Sequence, residues 1–195
     1  KTSYDKYTGF IKRRKFIKDI KITHKISSLF ARIYSKPKNK YILSTKLPFC
    51  SLISVTEKKK EFYKFENYWI KKKDVVPISY KKQTFKNIII FKGIPYKWGG
   101  KTYKGIDCSA LVQIFFKFNN QYCPRDTKDQ IKYFKKPNNI KKNAIIFWKG
   151  HVAVCLSKTL LIHAYGPKKK VLFMNVKKTI KLIKKTAKLK VIGIR

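Results

Sequence analysis

Near its middle, the 195-residue chain reads Ile106-Asp107-Cys108-Ser109-Ala110-Leu111-Val112. Apolar residues recur from here at three- and four-residue spacing, which predicts a helix over residues 106–118. Asp107 is a favourable N-cap residue, so Cys108 should lie in the first helical turn. The unpaired N–H groups and partial positive charge of a helix N-terminus favour a thiolate. Most cysteines are small core residues, but a cysteine with a lowered pKa is a nucleophile, which makes Cys108 a candidate.

The chain has three histidines, at positions 24, 151 and 163. His24 is interpreted as an exposed residue that takes no part in the chemistry. The other two flank a predicted hairpin whose loop is 157–159. In the register that pairs Val154 with Ile162, one face of the hairpin is apolar and both histidines lie diagonally on the other face. Diagonal neighbours are about 7–8 Å apart at Cα, so the two rings could meet. A cysteine at a helix start with two paired histidines is the arrangement of a nucleophile, a base and a residue that orients the base.

The sequence around these residues predicts helices first and antiparallel strands afterwards. A helix is expected over 84–92, where apolar residues follow a helical period before Gly93-Ile94-Pro95. Strands are expected over 144–148, 151–156, 160–165, 171–175 and 190–194. This order indicates an α+β fold for residues 80–195.

The first 79 residues have a different pattern. Residues 1–23 form a basic arm in which Phe10, Ile11, Phe16, Ile17, Ile20 and Ile22 could form a short amphipathic segment. A mostly solvated arm with a few docked residues is the favoured interpretation. Over 24–79, short strands are predicted at 31–34, 52–56, 62–65 and 68–70, which suggests a small all-β barrel.

Composition limits the class of protein. The chain carries 49 Lys+Arg against 9 Asp+Glu, a formal charge of +40, yet 44% of its residues are hydrophobic, so it can form a core. No run approaches the roughly 18 apolar residues that a membrane-spanning helix needs. The charge could bind an anionic polymer. Only five basic residues are arginine, however, and lysine is spread along the whole chain, which favours compositional drift over a specific nucleic-acid surface.

Cysteine spacing and the first residues bear on the compartment. No two of the four cysteines are two to four residues apart, so no zinc pattern is present. No apolar segment typical of a signal peptide is visible near residue 1. Free thiols in the cytoplasm are therefore expected, with export to the cell envelope as the alternative.

Five sequence blocks resemble those of the NlpC-type cell-wall cysteine peptidases, from about residue 94 to residue 176. They are Tyr96-Lys97-Trp98-Gly99-Gly100, Gly105-Ile106-Asp107-Cys108-Ser109-Ala110-Leu111-Val112-Gln113, Pro124-Arg125-Asp126-Thr127-Lys128-Asp129-Gln130, Ile146-Phe147-Trp148-Lys149-Gly150-His151-Val152-Ala153-Val154 and Ile162-His163-Ala164. The region before them loosely resembles a bacterial SH3 domain, through Tyr34-Ser35-Lys36-Pro37 and Asn67-Tyr68-Trp69-Ile70. The second motif lacks both glycines of the usual pattern.

The resemblance implies a papain-like NlpC-type catalytic domain preceded by a small SH3-like barrel. It implies cleavage of peptidoglycan stem peptides, and we expect the γ-D-glutamyl–diamino acid bond of free muropeptides to be cut. Because no export signal is visible, recycled fragments are favoured over intact wall as the substrate. Cys108 would be the nucleophile, His151 the general base and His163 the third member of the triad. No metal or cofactor is needed.

Three further roles follow from the same resemblance. Tyr96 matches a tyrosine beside the nucleophile, and its hydroxyl could join the backbone N–H of Cys108 around the oxyanion. Asp107 and Ser109 match residues that meet the free amino end of the substrate, while a preceding β domain would close one end of the groove. The chain departs from the family at Ala110, which replaces a glycine, and at Asn143-Ala144, which replaces a Gly-Asp turn.

Other functions stay open at this point. The same triad on the same fold could serve an amidase or an acyltransferase. A non-catalytic protein that binds an anionic polymer would also explain the charge, although competent residues fill all three triad positions.

Overall fold

The computed structural model describes residues 2, 4–5, 7–10, 12, 20–82, 84–136 and 139–195. These form two compact units. One unit comprises Thr8–Lys81, and the other joins Thr2–Tyr7 to Lys82–Arg195. Of the proposed amphipathic segment in the arm, Ile11, Phe16 and Ile17 lie outside the described residues, so that segment stays a prediction.

The unit Thr8–Lys81 is built from β-strands. They are β1 (His24–Ile26), β2 (Phe30–Tyr34), β3 (Ile42–Pro48), β4 (Leu52–Ile53), β5 (Val55–Lys59), β6 (Phe62–Phe65), β7 (Tyr68–Lys71) and β8 (Val75–Pro77). They form a five-stranded sheet in the order β3-β2-β7-β6-β5 and a three-stranded sheet in the order β4-β1-β8. Alternating residues such as Ala31 and Ile33 of β2 fill the core with Ile26 and Ile70. The β-rich character is confirmed, while the likeness to an SH3 barrel stays a prediction.

One predicted strand of this unit was wrong. Residues 52–56 form two strands rather than one, because β4 pairs with β1 whereas β5 pairs with β6. Strands β1, β3 and β8 were not predicted. Two of them are only three residues long, too short for an alternating pattern to stand out.

The second unit is α+β, as expected. Its strands are β9 (Lys101–Thr102), β10 (Gly105–Ile106), β11 (Ile145–Trp148), β12 (His151–Cys155), β13 (Leu160–Tyr165), β14 (Lys170–Asn175) and β15 (Val191–Ile194). Its helices are α1 (Cys108–Phe118), α2 (Thr127–Tyr133) and α3 (Val176–Ala187). The main sheet is antiparallel with the order β14-β13-β12-β11-β15.

Helix α1 packs against β12 and β13, the two strands that carry the paired histidines. Nine of its eleven residues are buried, from Cys108 at the start to Phe118 at the end. The helix begins after Asp107, whose carboxylate accepts a hydrogen bond from the backbone N–H of Ala110 at 2.8 Å. This N-cap, predicted from the sequence, is confirmed and fixes Cys108 as the first helical residue.

The helix expected over 84–92 is wrong. Only Ile88–Phe91 is helical, as a short 3₁₀ segment. Phe85 lies in the left-handed region of backbone conformation, at φ 65°, which a residue inside a right-handed α-helix does not adopt. Helices α2 and α3 were not predicted. In the described part of the chain, no helix is long and apolar enough to cross a membrane.

Candidate functional site

The hairpin of β12 and β13 brings His151 and His163 together. The strands pair with Val154 opposite Ile162, which is the predicted register. Nε2 of His151 lies 2.9 Å from Nδ1 of His163, so the two rings share a hydrogen bond. His163 is buried and stacks on Tyr165 with ring centroids 4.7 Å apart. The expectation that one register builds both the apolar face and the histidine pair is confirmed.

A third side chain fixes the direction of this hydrogen bond. Nε2 of His163 lies 3.2 Å from Sδ of Met174, the one methionine of the chain. A thioether can only accept, so His163 Nε2 carries the proton and His163 Nδ1 is an acceptor. His151 must then donate from Nε2, which leaves His151 Nδ1 with a free lone pair. This tautomer of His151 is the one that a general base requires.

Cys108 lies at the N-terminus of α1 with its thiol buried. Burial raises the pKa of Cys108 to about 11, and it outweighs the backbone N–H groups of Val152, Ser109 and Cys108 that favour the thiolate. The expectation of a lowered pKa from the helix N-terminus is therefore wrong, because the loss of solvation is larger than the helix effect. The hydrogen bond from Val152 places the sulfur next to the residue that follows His151.

The two histidines are also uncharged at neutral pH. Burial lowers the pKa of His151 to about 4. Burial, followed by the neighbouring His151, lowers the pKa of His163 to about 3. The resting site therefore holds a thiol and neutral imidazoles rather than the thiolate and imidazolium expected from the sequence.

A second polar cluster adjoins Cys108 and contains Asp107, Ser109 and Arg125. The guanidinium of Arg125 donates two hydrogen bonds to the carboxylate of Asp107, from Nη1 to Oδ1 at 3.0 Å and from Nη2 to Oδ2 at 2.5 Å. It also donates to Oγ of Ser109 at 2.8 Å, and Ser109 donates to Asp107 Oδ1 at 3.2 Å. The backbone N–H of Gly99 adds a bond of 2.9 Å to Asp107 Oδ2. Together with the N-cap hydrogen bond from the backbone N–H of Ala110, the carboxylate of Asp107 accepts five hydrogen bonds.

Tyr96 lies near Cys108, Asp107 and Arg125. The backbone N–H of Tyr96 donates to the carbonyl of Lys169 at 2.8 Å. Tyr96 also forms a parallel β-bridge with Ile106, just before α1. Burial raises the pKa of Tyr96, and the neighbouring groups of Cys108 and Asp107 raise it further. The hydroxyl is therefore protonated at neutral pH and lies near Cys108, where it can donate a hydrogen bond.

A pocket of about 560 Å³ opens over Cys108. The residues that line it besides Cys108 are Tyr7, Trp98, Gly99, Lys101, Asp107, Ser109, Arg125, Asp126, Thr127, Lys128, Lys149 and Gly150. Asp126 begins α2 without a side-chain capping bond, so its carboxylate is not used to hold that helix. All four cysteines are buried and none forms a disulfide bond, and Cys155 lies in the hydrophobic core.

Three residues of this site were not among those predicted from the sequence: Arg125, Asp126 and Met174. Arg125 lies in the sequence block 124–130. An arginine in a chain whose basic residues are mostly lysine could have indicated a buried ion pair, since arginine forms bidentate pairs with carboxylates. Asp126 follows it in the same block. Met174 gave no signal, because a methionine in a strand is ordinarily a core residue.

Comparison with known proteins agrees with this geometry. Residues 93–187 match the NlpC/P60 family. The chain is 29% identical over 152 residues to the gamma-D-glutamyl-L-lysine dipeptidyl-peptidase of Bacillus subtilis, covering 69% of this chain and 51% of that protein. It is 30% identical over 89 residues to the dipeptidyl-peptidase 6 of Lysinibacillus sphaericus, covering 44% of this chain and 33% of that protein.

A solved structure shows the same fold. The NlpC/P60 family protein from Bacillus cereus ATCC 10987 superposes with a TM-score of 0.70 at 19% identity, over 89% of this chain and 62% of that one. The chain spans about half of the length of the Bacillus subtilis relative and a third of that of the Lysinibacillus sphaericus relative. Residues 93–187 of this chain therefore match the NlpC/P60 family, and the α+β fold of the second unit agrees with that match.

Proposed function

We propose that this chain is a cysteine peptidase that hydrolyses the γ-D-glutamyl–diamino acid bond of peptidoglycan stem peptides with a free amino terminus. Cys108 is the nucleophile, His151 the general base and His163 the residue that orients it. The observation that carries this proposal is the hydrogen-bonded series from His151 through His163 to Met174, which leaves the proton-accepting nitrogen of His151 free. The name of the Bacillus subtilis relative supports the choice of bond.

The reaction begins from the neutral pair. His151 Nδ1 takes the proton of the Cys108 thiol as the sulfur attacks the amide carbonyl carbon, and the carbonyl π electrons move to oxygen. The backbone N–H of Cys108 and the hydroxyl of Tyr96 donate to this oxyanion. His151, now an imidazolium, protonates the leaving amine as the C–N bond breaks, which leaves a thioester on Cys108.

Hydrolysis of the thioester reverses these roles. His151 accepts a proton from water, the resulting hydroxide attacks the thioester carbonyl, and the Cys108 sulfur leaves and regains its proton from His151. Throughout, His163 accepts the hydrogen bond from His151 Nε2 and stabilises the imidazolium that forms in each half-reaction.

The pocket also contains a partner for a substrate ammonium group. Asp107 already receives five hydrogen bonds, two of them from Arg125, so it has no lone pair left for a further donor. Asp126 lines the same pocket, and its carboxylate does not cap α2. We therefore assign the ammonium to Asp126 and give Asp107 the role of holding Arg125 and Ser109 in place.

The test compares two peptides, L-Ala-γ-D-Glu-L-Lys and the same peptide acetylated at its amino terminus, with products identified by mass spectrometry. We expect release of L-Lys from the free peptide, slower turnover of the acetylated one, and no product from Cys108→Ala. Cleavage at another bond, or activity retained by Cys108→Ala, would contradict the proposal.

The assignment of Asp126 has its own control on the same helix. Asp126→Asn should raise KM for the free peptide, because a neutral amide replaces the charge that pairs with the ammonium. Asp129 is exposed on α2 and does not line the pocket, so Asp129→Asn should leave KM unchanged. Equal KM values for both variants and the parent chain would remove Asp126 from the binding site.

A further inference from the structure

The first residues of the chain pack against the catalytic unit. Thr2–Tyr7 belong to that unit, although the β-strand unit lies between them and Lys82 in the sequence. The side chain of Asp5 is only 4% exposed. Its Oδ2 accepts a hydrogen bond from Nε2 of Gln113 at 2.9 Å and lies 3.7 Å from Nζ of Lys101. The hydroxyl of Tyr4 donates to the carbonyl of Gln121 at 2.7 Å, which fixes a second point of the segment.

The contact with Gln113 places this segment beside the substrate pocket. Gln113 is buried on α1, four residues after Ser109, so the two side chains lie on the same face of the helix. Burial raises the pKa of Asp5, but hydrogen bonds from Thr2, Gln113 and the backbone of Tyr7, together with the charge of Lys101, outweigh it and hold the pKa below its usual value. Asp5 is thus ionised and bound at the face of α1 that presents Ser109 to Arg125.

The segment is folded on itself so that Tyr7 reaches the pocket. The backbone N–H of Thr2 donates to the carbonyl of Tyr7 at 3.0 Å. The backbone N–H of Tyr7 donates to Oγ1 of Thr2 at 3.0 Å and to Oδ1 of Asp5 at 3.3 Å. Tyr7 then lines the pocket together with Cys108 and Arg125. An aromatic ring with few rotatable bonds is a stiff wall for such a pocket.

We propose that Tyr7 is a specificity-determining residue of this pocket. Its ring lines the same pocket as Ser109 and Arg125, and it excludes stem peptides whose amino terminus carries an acyl group or remains attached to glycan. Asp5 is the positioning residue that holds Tyr7 there through Gln113. This inference rests on the proposed function and assigns part of its selectivity to the chain's own first residues.

The experiment measures kcat and KM of the full chain for the free and the acetylated L-Ala-γ-D-Glu-L-Lys peptides. In Tyr7→Ala, the preference for the free peptide should fall by about tenfold, mainly through a lower KM for the acetylated peptide. Asp5→Ala should reduce the preference in the same direction, because the ring is no longer held. Tyr7→Phe should keep the preference, since the ring itself is the barrier.

Phe10 supplies the matched control, because it is a fully exposed aromatic residue three positions beyond Tyr7. Phe10→Ala should retain the parent preference. If the parent chain prefers the free peptide and Tyr7→Ala keeps that preference unchanged, the role of Tyr7 is wrong while the proposed function stands. If the parent chain cleaves neither peptide, both are wrong.

Discussion

Two buried polar clusters adjoin Cys108, and they differ in charge. His151, His163 and Met174 form a neutral series, in which burial lowers the pKa of both histidines to about 4 and about 3. Asp107 and Arg125 form an ion pair with two bonds, and each side chain is only 8% exposed. The histidine cluster avoids the cost of burying charge because its imidazoles are neutral. The Asp107–Arg125 cluster keeps its charges and offsets that cost by pairing them.

The difference matches what each cluster does in the proposed reaction. A general base has to accept and return a proton in each half-reaction, so its resting form is uncharged and its neighbours only orient it. A cluster that shapes a pocket has to stay fixed, and a bidentate pair fixes both partners in position and orientation. The variants below test whether proton transfer and rigidity are separated in this way.

Removing the nucleophile should have the largest effect on activity. Cys108→Ala should lower kcat by roughly 10⁴-fold or more, because the thioester can no longer form. Turnover of the free tripeptide measures this, with circular dichroism to show that the fold persists. Cys155 is buried in the core, so Cys155→Ala should lower stability while keeping activity. Loss of activity in Cys155→Ala with an intact fold would give a second cysteine a direct role.

The two histidines should have unequal effects. His151→Ala should bring kcat close to that of Cys108→Ala, because proton transfer is lost. His163→Ala should lose less, by about 10²-fold, because His151 keeps its base nitrogen but not its orientation. Steady-state kinetics on both variants measures the difference. A loss in His163→Ala as large as that in His151→Ala would mean that His163 itself transfers protons.

The charged cluster should respond mainly in stability. Arg125→Ala leaves the buried carboxylate of Asp107 without its counter-charge, which should reduce the free energy of unfolding by about 3–5 kcal/mol. Arg125→Lys should recover only part of this, because an ammonium cannot form the bidentate fork. Urea denaturation measures both. Arg32 is exposed, so Arg32→Ala should change the stability by no more than about 0.5 kcal/mol.

Acid should reduce the stability that the neutral histidine cluster contributes. The pKa values of His151 and His163 are depressed from 6.5 to about 4 and about 3, so the unfolded chain binds protons first as the pH falls. The stability contributed by the neutral rings is complete above pH 6.5 and is lost as the pH falls towards these values. Urea denaturation at pH 7.0 and pH 5.0 measures this, and a His151→Gln, His163→Gln double variant should show a smaller decrease.

Met174 should give the smallest effect. Met174→Leu removes the acceptor of His163 Nε2 and should lower kcat by less than about tenfold, because a thioether is a weak acceptor. Met174→Gln supplies an amide oxygen and should restore part of the loss. If Met174→Leu has the parent kcat, the contact does not set the tautomer of the histidine pair.

The sequence predicts this site well where the signals are local. The apolar spacing of α1, the N-cap at Asp107 and the hairpin register are each contained within a dozen or so residues, so the pattern alone places Cys108, His151 and His163. Helix α3 had a comparable signal in Val176, Ile180 and Ile183, at helical spacing after the capping residue Asn175, but it was overlooked.

Features that depend on tertiary burial could not be predicted in this way. The pKa of Cys108 follows from how deeply the thiol is covered, which no helix pattern reveals. Arg125 reaches Asp107 across 18 residues. The left-handed backbone of Phe85 interrupts an apolar pattern that is helical by period alone.

The bond between Asp5 and Gln113 joins residues 108 positions apart in the chain. Closing a flexible loop of that length would cost roughly 4 kcal/mol of chain entropy, and a folded β-strand unit within the loop alters that cost. During synthesis Asp5 emerges long before its partner, so the wall formed by Tyr7 is completed only once α1 exists. The second unit is therefore discontinuous in sequence, and a fragment starting at Lys82 would contain Cys108, His151 and His163 without the segment proposed to select the substrate.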